Sequence, residues 1–101
     1  MVARSLWAVA LAVVILPAFG ATRTITIEGM QFVPAMVMVK RGDQVVWLNK
    51  DLVPHTVTAP KVFDSGAVTP GKSWRMPTVK PGRYDYVCTL HPTMKATLVV
   101  E

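Results

Sequence analysis

The chain reads as short alternating or apolar segments punctuated by turns, and no segment after the N-terminal run holds a helical period for ten residues. Arg23-Thr24-Ile25-Thr26-Ile27-Glu28 alternates polar and apolar, the pattern of a half-buried strand. The same reading predicts strands over Met36–Lys40, Gln44–Asn49, His55–Thr58, Ser73–Met76, Arg83–Cys88 and Lys95–Val100. Turn signals separate them at Arg41-Gly42-Asp43, Pro70-Gly71 and Pro81-Gly82. Pro77 follows Ser73–Met76 and has no N–H for a ladder, so that strand is expected at a sheet edge. Short strands punctuated by turns indicate an all-β sandwich or barrel. Trp47, Phe63, Tyr84, Tyr86 and the many valines are its expected core.

The pattern breaks at the N-terminus. Arg4 precedes an unbroken apolar run, Leu6–Leu16, and Pro17-Ala18-Phe19-Gly20 follows with small residues placed for a cut before Ala21. That is the layout of a secretory signal peptide. The run is shorter than the roughly 20 residues a membrane-spanning helix needs. The expectation is therefore a cleaved leader over 1–20, export to the periplasm, a single mature domain over 21–101, and no membrane insertion after cleavage.

A domain this small buries a modest core and gains from a staple. One cysteine cannot form an internal disulfide, which turns attention to metal. Losing Arg4 with the leader lowers the formal charge from +5 to +4. The lysines are scattered singly, with no basic run interleaved with aromatics, so nucleic-acid binding is excluded as a reading.

The candidate chemistry sits in Cys88-Thr89-Leu90-His91-Pro92-Thr93-Met94, a C-x2-H-x2-M spacing between two good strands. Residues three apart on a regular strand point to opposite faces, so joint action of these three requires a turn. The only other histidine, His55, opens another predicted strand. Singly, each residue is ordinary core or structure. Together they form a thiolate, two imidazoles and a thioether. Soft sulfur donors select copper, and two histidines with a cysteine in a trigonal plane plus a weak axial methionine make a blue-copper electron-transfer site. Zinc accepts Cys and His but has little use for thioether, and calcium and magnesium require oxygen donors.

Three segments, VVWLNKDLVPHTV (45–57), FDSG (63–66) and PGRYDYVCTLHPTMKATLVVE (81–101), resemble the cupredoxins, in their amicyanin- and plastocyanin-like branch. The resemblance runs from about Gln31 to Glu101 and implies a Greek-key β-sandwich of about seven to eight strands, with both ligand loops at one end. It implies one type 1 copper per chain, with His55, Cys88 and His91 in plane and Met94 axial. Asn49 matches the family asparagine that ties the two ligand loops together near the cysteine sulfur, and Pro54 and Pro92 match prolines flanking the histidines. Leu52, Val53, Leu90 and Pro92, with Met30 beside them, form the expected apolar docking patch around the His91 ring edge. Ala96 departs from the family where glycine is common after the methionine, and Pro77 and Thr78 depart where apolar residues are usual.

The expected function is single-electron shuttling between redox proteins through a Cu(I)/Cu(II) couple, by a monomer that docks and leaves. A c-type cytochrome or a periplasmic dehydrogenase is the kind of partner the resemblance implies. An enzyme such as a nitrite reductase or a multicopper oxidase needs further histidine-rich copper centres, and this chain has only two histidines. A periplasmic copper carrier or buffer using the same ligands is the alternative.

Overall fold

The computed structural model describes residues 20–101 together with Ala12. The expected leader, Leu6–Leu16 with Pro17-Ala18-Phe19, lies outside the described residues apart from Ala12. The strands are β1 (Thr22–Ile27), β2 (Phe32–Val33), β3 (Met36–Val39), β4 (Gln44–Asn49), β5 (Thr58–Ala59), β6 (Phe63–Asp64), β7 (Ser73–Pro77), β8 (Gly82–Cys88) and β9 (His91–Val100). Among the described residues there is no helix.

Two sheets pack face to face, one in the order β2-β1-β4-β7 and the other β3-β9-β8-β5-β6. β1 pairs with β4 and β3 with β9 in parallel, and the remaining pairs are antiparallel. Alternation decides which side faces inward. Ile25 and Ile27 of β1, Val45 and Trp47 of β4, and Met94, Ala96, Leu98 and Val100 of β9 are all buried in one core. Trp47 is fully enclosed and donates its indole N–H to the Tyr86 hydroxyl at 3.1 Å across the sandwich. The bond satisfies the polar end of both rings, as burial of Trp and Tyr demands. Phe63 and Tyr84, expected in the core, pack against it only partly buried.

Nine strands replace the expected seven or eight, because β2, β5 and β6 are two-residue pairings too short to show an alternation. The strand expected over His55–Thr58 is largely absent: His55 makes only an isolated bridge to Val68, and pairing begins at Thr58. β7 is the edge strand its proline predicts, with Pro77 opposite Gln44 at its end. Thr78, polar and buried, donates its hydroxyl toward the carbonyls of Lys40 and Asp43. Ala96 sits in regular register opposite Tyr86, so the missing glycine does not displace the strand.

Candidate metal centre

The site lies where β4, β8 and β9 meet at one end of the sandwich. β8 delivers Cys88 as its last residue, and β9 begins at His91 rather than at the expected Lys95. The pairing between them is irregular. Val87 faces Lys95 while Cys88 faces His91, so Pro92, Thr93 and Met94 bulge out of the ladder. A bulge re-aims side chains that a regular strand would send to opposite faces. It resolves the difficulty of the three-residue spacing.

The bulge and the loop after β4 bring three donors together. The Nδ1 atoms of His55 and His91 stand 3.6 and 3.7 Å from Cys88 Sγ, and the three donor atoms lie within 4.8 Å of one another. The two imidazole rings are 5.1 Å apart between centroids. His55 and Cys88 are fully buried, and His91 is half-buried. Met94 is buried in the same core cluster as Cys88. The thiol is unpaired in any disulfide. A buried thiol with two imidazole nitrogens aimed at it matches the donor chemistry of a cysteine- and histidine-ligated copper ion.

The loop from Asn49 to His55 is held from within. Buried Asn49 donates from Nδ2 to the carbonyls of Val53 and Val68, both at 2.9 Å, and its Oδ1 accepts the Asp51 amide at 2.9 Å. Asp51, absent from the residues singled out in the sequence, faces His55. The His55 Nε2–H donates to Asp51 Oδ2 at 2.8 Å, which leaves Nδ1 free to present a lone pair beside the sulfur. The Gly29 and Met30 amides donate to the two oxygens of the same carboxylate at 2.8 and 3.0 Å. Gly29 and Met30 both have left-handed backbones, with φ of 64° and 60°, and consecutive amides in such a turn converge on an anion. Partial burial works to raise the Asp51 pKa. The Met30 amide, the His55 ring and the Gly29 amide outweigh it, and the carboxyl is held below its ordinary value.

The expected role of Asn49 needs correction. Asn49 fixes its own loop and the Val68 segment, and it does not reach the Cys88 loop. Thr56 joins the two ligand loops instead. Its amide donates to Cys88 Sγ at 3.3 Å, and its Oγ1 accepts the Thr89 amide at 2.8 Å. Hydroxyls then continue from Thr89 through Thr56 and Thr58 to Asp64. Pro54 and Pro92 are exposed beside their histidines in the chain, and Leu52, Val53, Leu90 and Met30 are exposed. Leu52, at 94% exposure, is an apolar side chain almost wholly in solvent.

A family model described as a cupredoxin-like domain matches residues 2–100. The chain belongs to the cupredoxin-like family. It is 32% identical over 81 residues to amicyanin from Paracoccus versutus, a match covering 74% of this chain and 61% of that protein. It is 34% identical over 83 residues to amicyanin-alpha from Methylorubrum extorquens, covering 76% and 70% respectively. The chain thus spans 61% of the first of these cupredoxins and 70% of the second. Its fold superposes on the Cu(I) form of a methionine-to-alanine variant of amicyanin with a TM-score of 0.75, at 31% identity over 81% of this chain and 83% of that one. It also superposes on a copper-containing nitrite reductase from Thermus scotoductus with a TM-score of 0.75, at 26% identity over 79% of this chain but only 22% of that enzyme.

Proposed function

We propose that this cupredoxin is a one-electron carrier holding a single type 1 copper through His55, Cys88, His91 and Met94. The reading is carried by the two imidazole Nδ1 atoms at 3.6 and 3.7 Å from the only thiol in the chain. His55, Cys88, His91 and Met94 would hold a copper ion that would supply a Cu(I)/Cu(II) couple, with the Met94 thioether and the hydrogen bonding at the Cys88 thiolate tuning its potential. Within the chain, Thr56 supplies that hydrogen bond to Cys88 Sγ, and Asp51 fixes the ring orientation and tautomer of His55. Cys88 and Met94 lie in the same buried cluster as Trp47, Tyr86 and Leu98, a close-packed setting that would hold both sulfurs in place through each transfer.

His91 is the proposed route for the electron, since it alone of the three grouped donors is half-exposed. Leu52, Val53, Leu90 and Pro92, all exposed on the loops that carry the two histidines, are the proposed apolar docking surface, of the small kind that transient redox encounters use. Lys50 and Lys95, both exposed, are placed to steer an acidic redox partner such as a c-type cytochrome or a dehydrogenase. The layout of residues 1–20 supports export to the periplasm and a mature domain over 21–101. Both histidines belong to this one site, which supports a carrier rather than an enzyme.

The test is the visible spectrum of the Cu(II)-loaded protein beside Cys88→Ser. The expected result is an intense blue thiolate-to-copper band, bleached reversibly by ascorbate and lost in the variant. A pale complex that survives the substitution overturns the reading and puts the copper carrier ahead. For the docking surface, Leu90→Glu is expected to slow electron transfer to a purified redox partner, and an unchanged rate removes that part of the proposal.

A further inference from the structure

The sandwich is not closed all round. Four apolar residues pack against the core while only partly buried: Phe63, Trp74, Met76 and Tyr84. All four line one groove of about 900 Å³. It opens between β6 and β7, which are the unpaired edges of the two sheets on that side. Gly82 and Val100 also line it, so the groove lies at the far ends of β8 and β9 from Cys88 and His91. At about 3.3 Å per residue, the six steps from Gly82 to Cys88 separate the two ends by roughly 20 Å. The groove is thus a different surface from the His91 mouth.

We propose that this groove docks an extended acidic segment of a partner protein, with an apolar side chain seated on the Phe63–Trp74–Tyr84 floor. Three observations select that occupant. The floor is aromatic and continuous, with Trp74 and Tyr84 ring centroids 5.9 and 6.2 Å from Phe63, and so suits an apolar side chain. The backbone of β7 pairs with β4 on one side only, leaving an edge to which an extended chain can add as a further strand over Ser73–Met76. Lys61 and Lys80 line the groove, and neither is in an ion pair among the described residues. The one acidic residue there, Asp64, is engaged by the Thr58 hydroxyl and the Gly66 amide. Two free cations beside an apolar trough favour glutamates flanking an apolar residue. They disfavour a second copy of this basic chain, which would bring its own lysines.

The experiment uses the Cu(I)-loaded full chain, which is diamagnetic, and a blocked peptide in which glutamates alternate with valines about a central phenylalanine. Nuclear magnetic resonance follows the Trp74 indole N–H and the Met76 methyl. Saturable shifts are expected at both, with affinity falling at least fivefold in the double variant Lys61→Glu, Lys80→Glu. Lys50→Glu, on the metal-bearing end, is expected to leave the affinity unchanged. Four results overturn the proposal: no shift at millimolar peptide, equal binding of a peptide with lysine in place of glutamate, shifts centred on Leu90 and His91, or concentration-dependent shifts without peptide, which would make the face a self-association surface.

Discussion

The two loops that supply the metal donors are built in opposite ways. The loop from Asn49 to Thr56 is locked by its own polar side chains: Asn49 and Asp51 each make three bonds, and His55 is sealed from solvent. The turn from Cys88 to Met94 has no comparable internal bonding among the described residues. It is shaped by a bulge and tied to its neighbour through Thr56, and it leaves His91 half-exposed. One loop sets the geometry, and the other opens the site to solvent. The proposed electron transfer needs both, since a fully locked site has no exit and a fully open one has no fixed geometry.

The sharpest way to break this contrast is to remove each histidine in turn. His91→Gly should lose the blue band of the copper-loaded protein and regain it when free imidazole is added, because the gap opens to solvent. His55→Gly should lose the band and stay colourless, since its gap is sealed and Asp51 loses its partner. Equal rescue of both would mean that the buried loop is not locked.

The next largest effect is expected from Asn49→Ala. It leaves the Val53 carbonyl and the Asp51 amide without partners, at roughly 1 to 3 kcal/mol each when buried, and takes from the Val68 carbonyl one of its two donors, the other being the His55 amide. A loss of about 3 kcal/mol or more is expected in urea unfolding of the metal-free protein. Thr89→Ala, in the open turn at an exposed position, should cost less than about 1 kcal/mol. Thr56→Val should fall between them, at about 1 to 2 kcal/mol, because the Thr89 amide loses its acceptor. If Asn49→Ala and Thr89→Ala cost the same, the asymmetry is not energetic.

Much of this contrast was legible along the chain, and the part that was not has a physical reason. β4 runs over the apolar segment Gln44–Asn49 that the turn at Arg41-Gly42-Asp43 introduces, and the Pro77 edge and the convergence of His55, Cys88 and His91 follow from local pattern and donor chemistry. Asp51 and Thr56 were not legible as site residues, because their roles depend on partners far along the chain. Asp51 is bound by the amides of Gly29 and Met30, and Thr56 by Thr89, 33 residues away. Two weak signals were present: an acid four residues before a histidine, and a glycine opening the turn that faces it. The groove at the other end is an extreme case. It arises where the edges of two sheets fail to meet, and no single segment carries that information.

A finer test separates orientation from bonding within the locked loop. Asp51→Asn keeps the shape but offers one acceptor oxygen where the carboxylate has two, with three donors facing it. Either the Gly29 amide, or the Met30 amide and the His55 Nε2–H together, is then left facing an NH2 group. Loss of an outer hydrogen bond of this kind typically lowers metal affinity by about 10- to 100-fold. Competition with a copper chelator should show a loss in that range, with the blue band retained. Unchanged affinity would mean that packing alone orients the ring.

The smallest expected effect is the pH dependence of the metal-free protein, and its sign follows from Asp51. Its folded pKa lies below the ordinary carboxylate value. The unfolded chain therefore takes up that proton at a higher pH than the folded protein does. The stabilisation is complete above the ordinary carboxylate range and is lost as pH falls through the lowered folded value. Acid titration of the wild type should show stability falling across that window, with a shallower fall in Asp51→Asn. The Cys88 turn contributes no carboxylate to this balance, so Thr89→Ala should lower the whole curve without changing its slope. A slope unchanged in Asp51→Asn would place the acid sensitivity elsewhere, and the locked loop would owe its rigidity to Asn49 rather than to the carboxylate beneath His55.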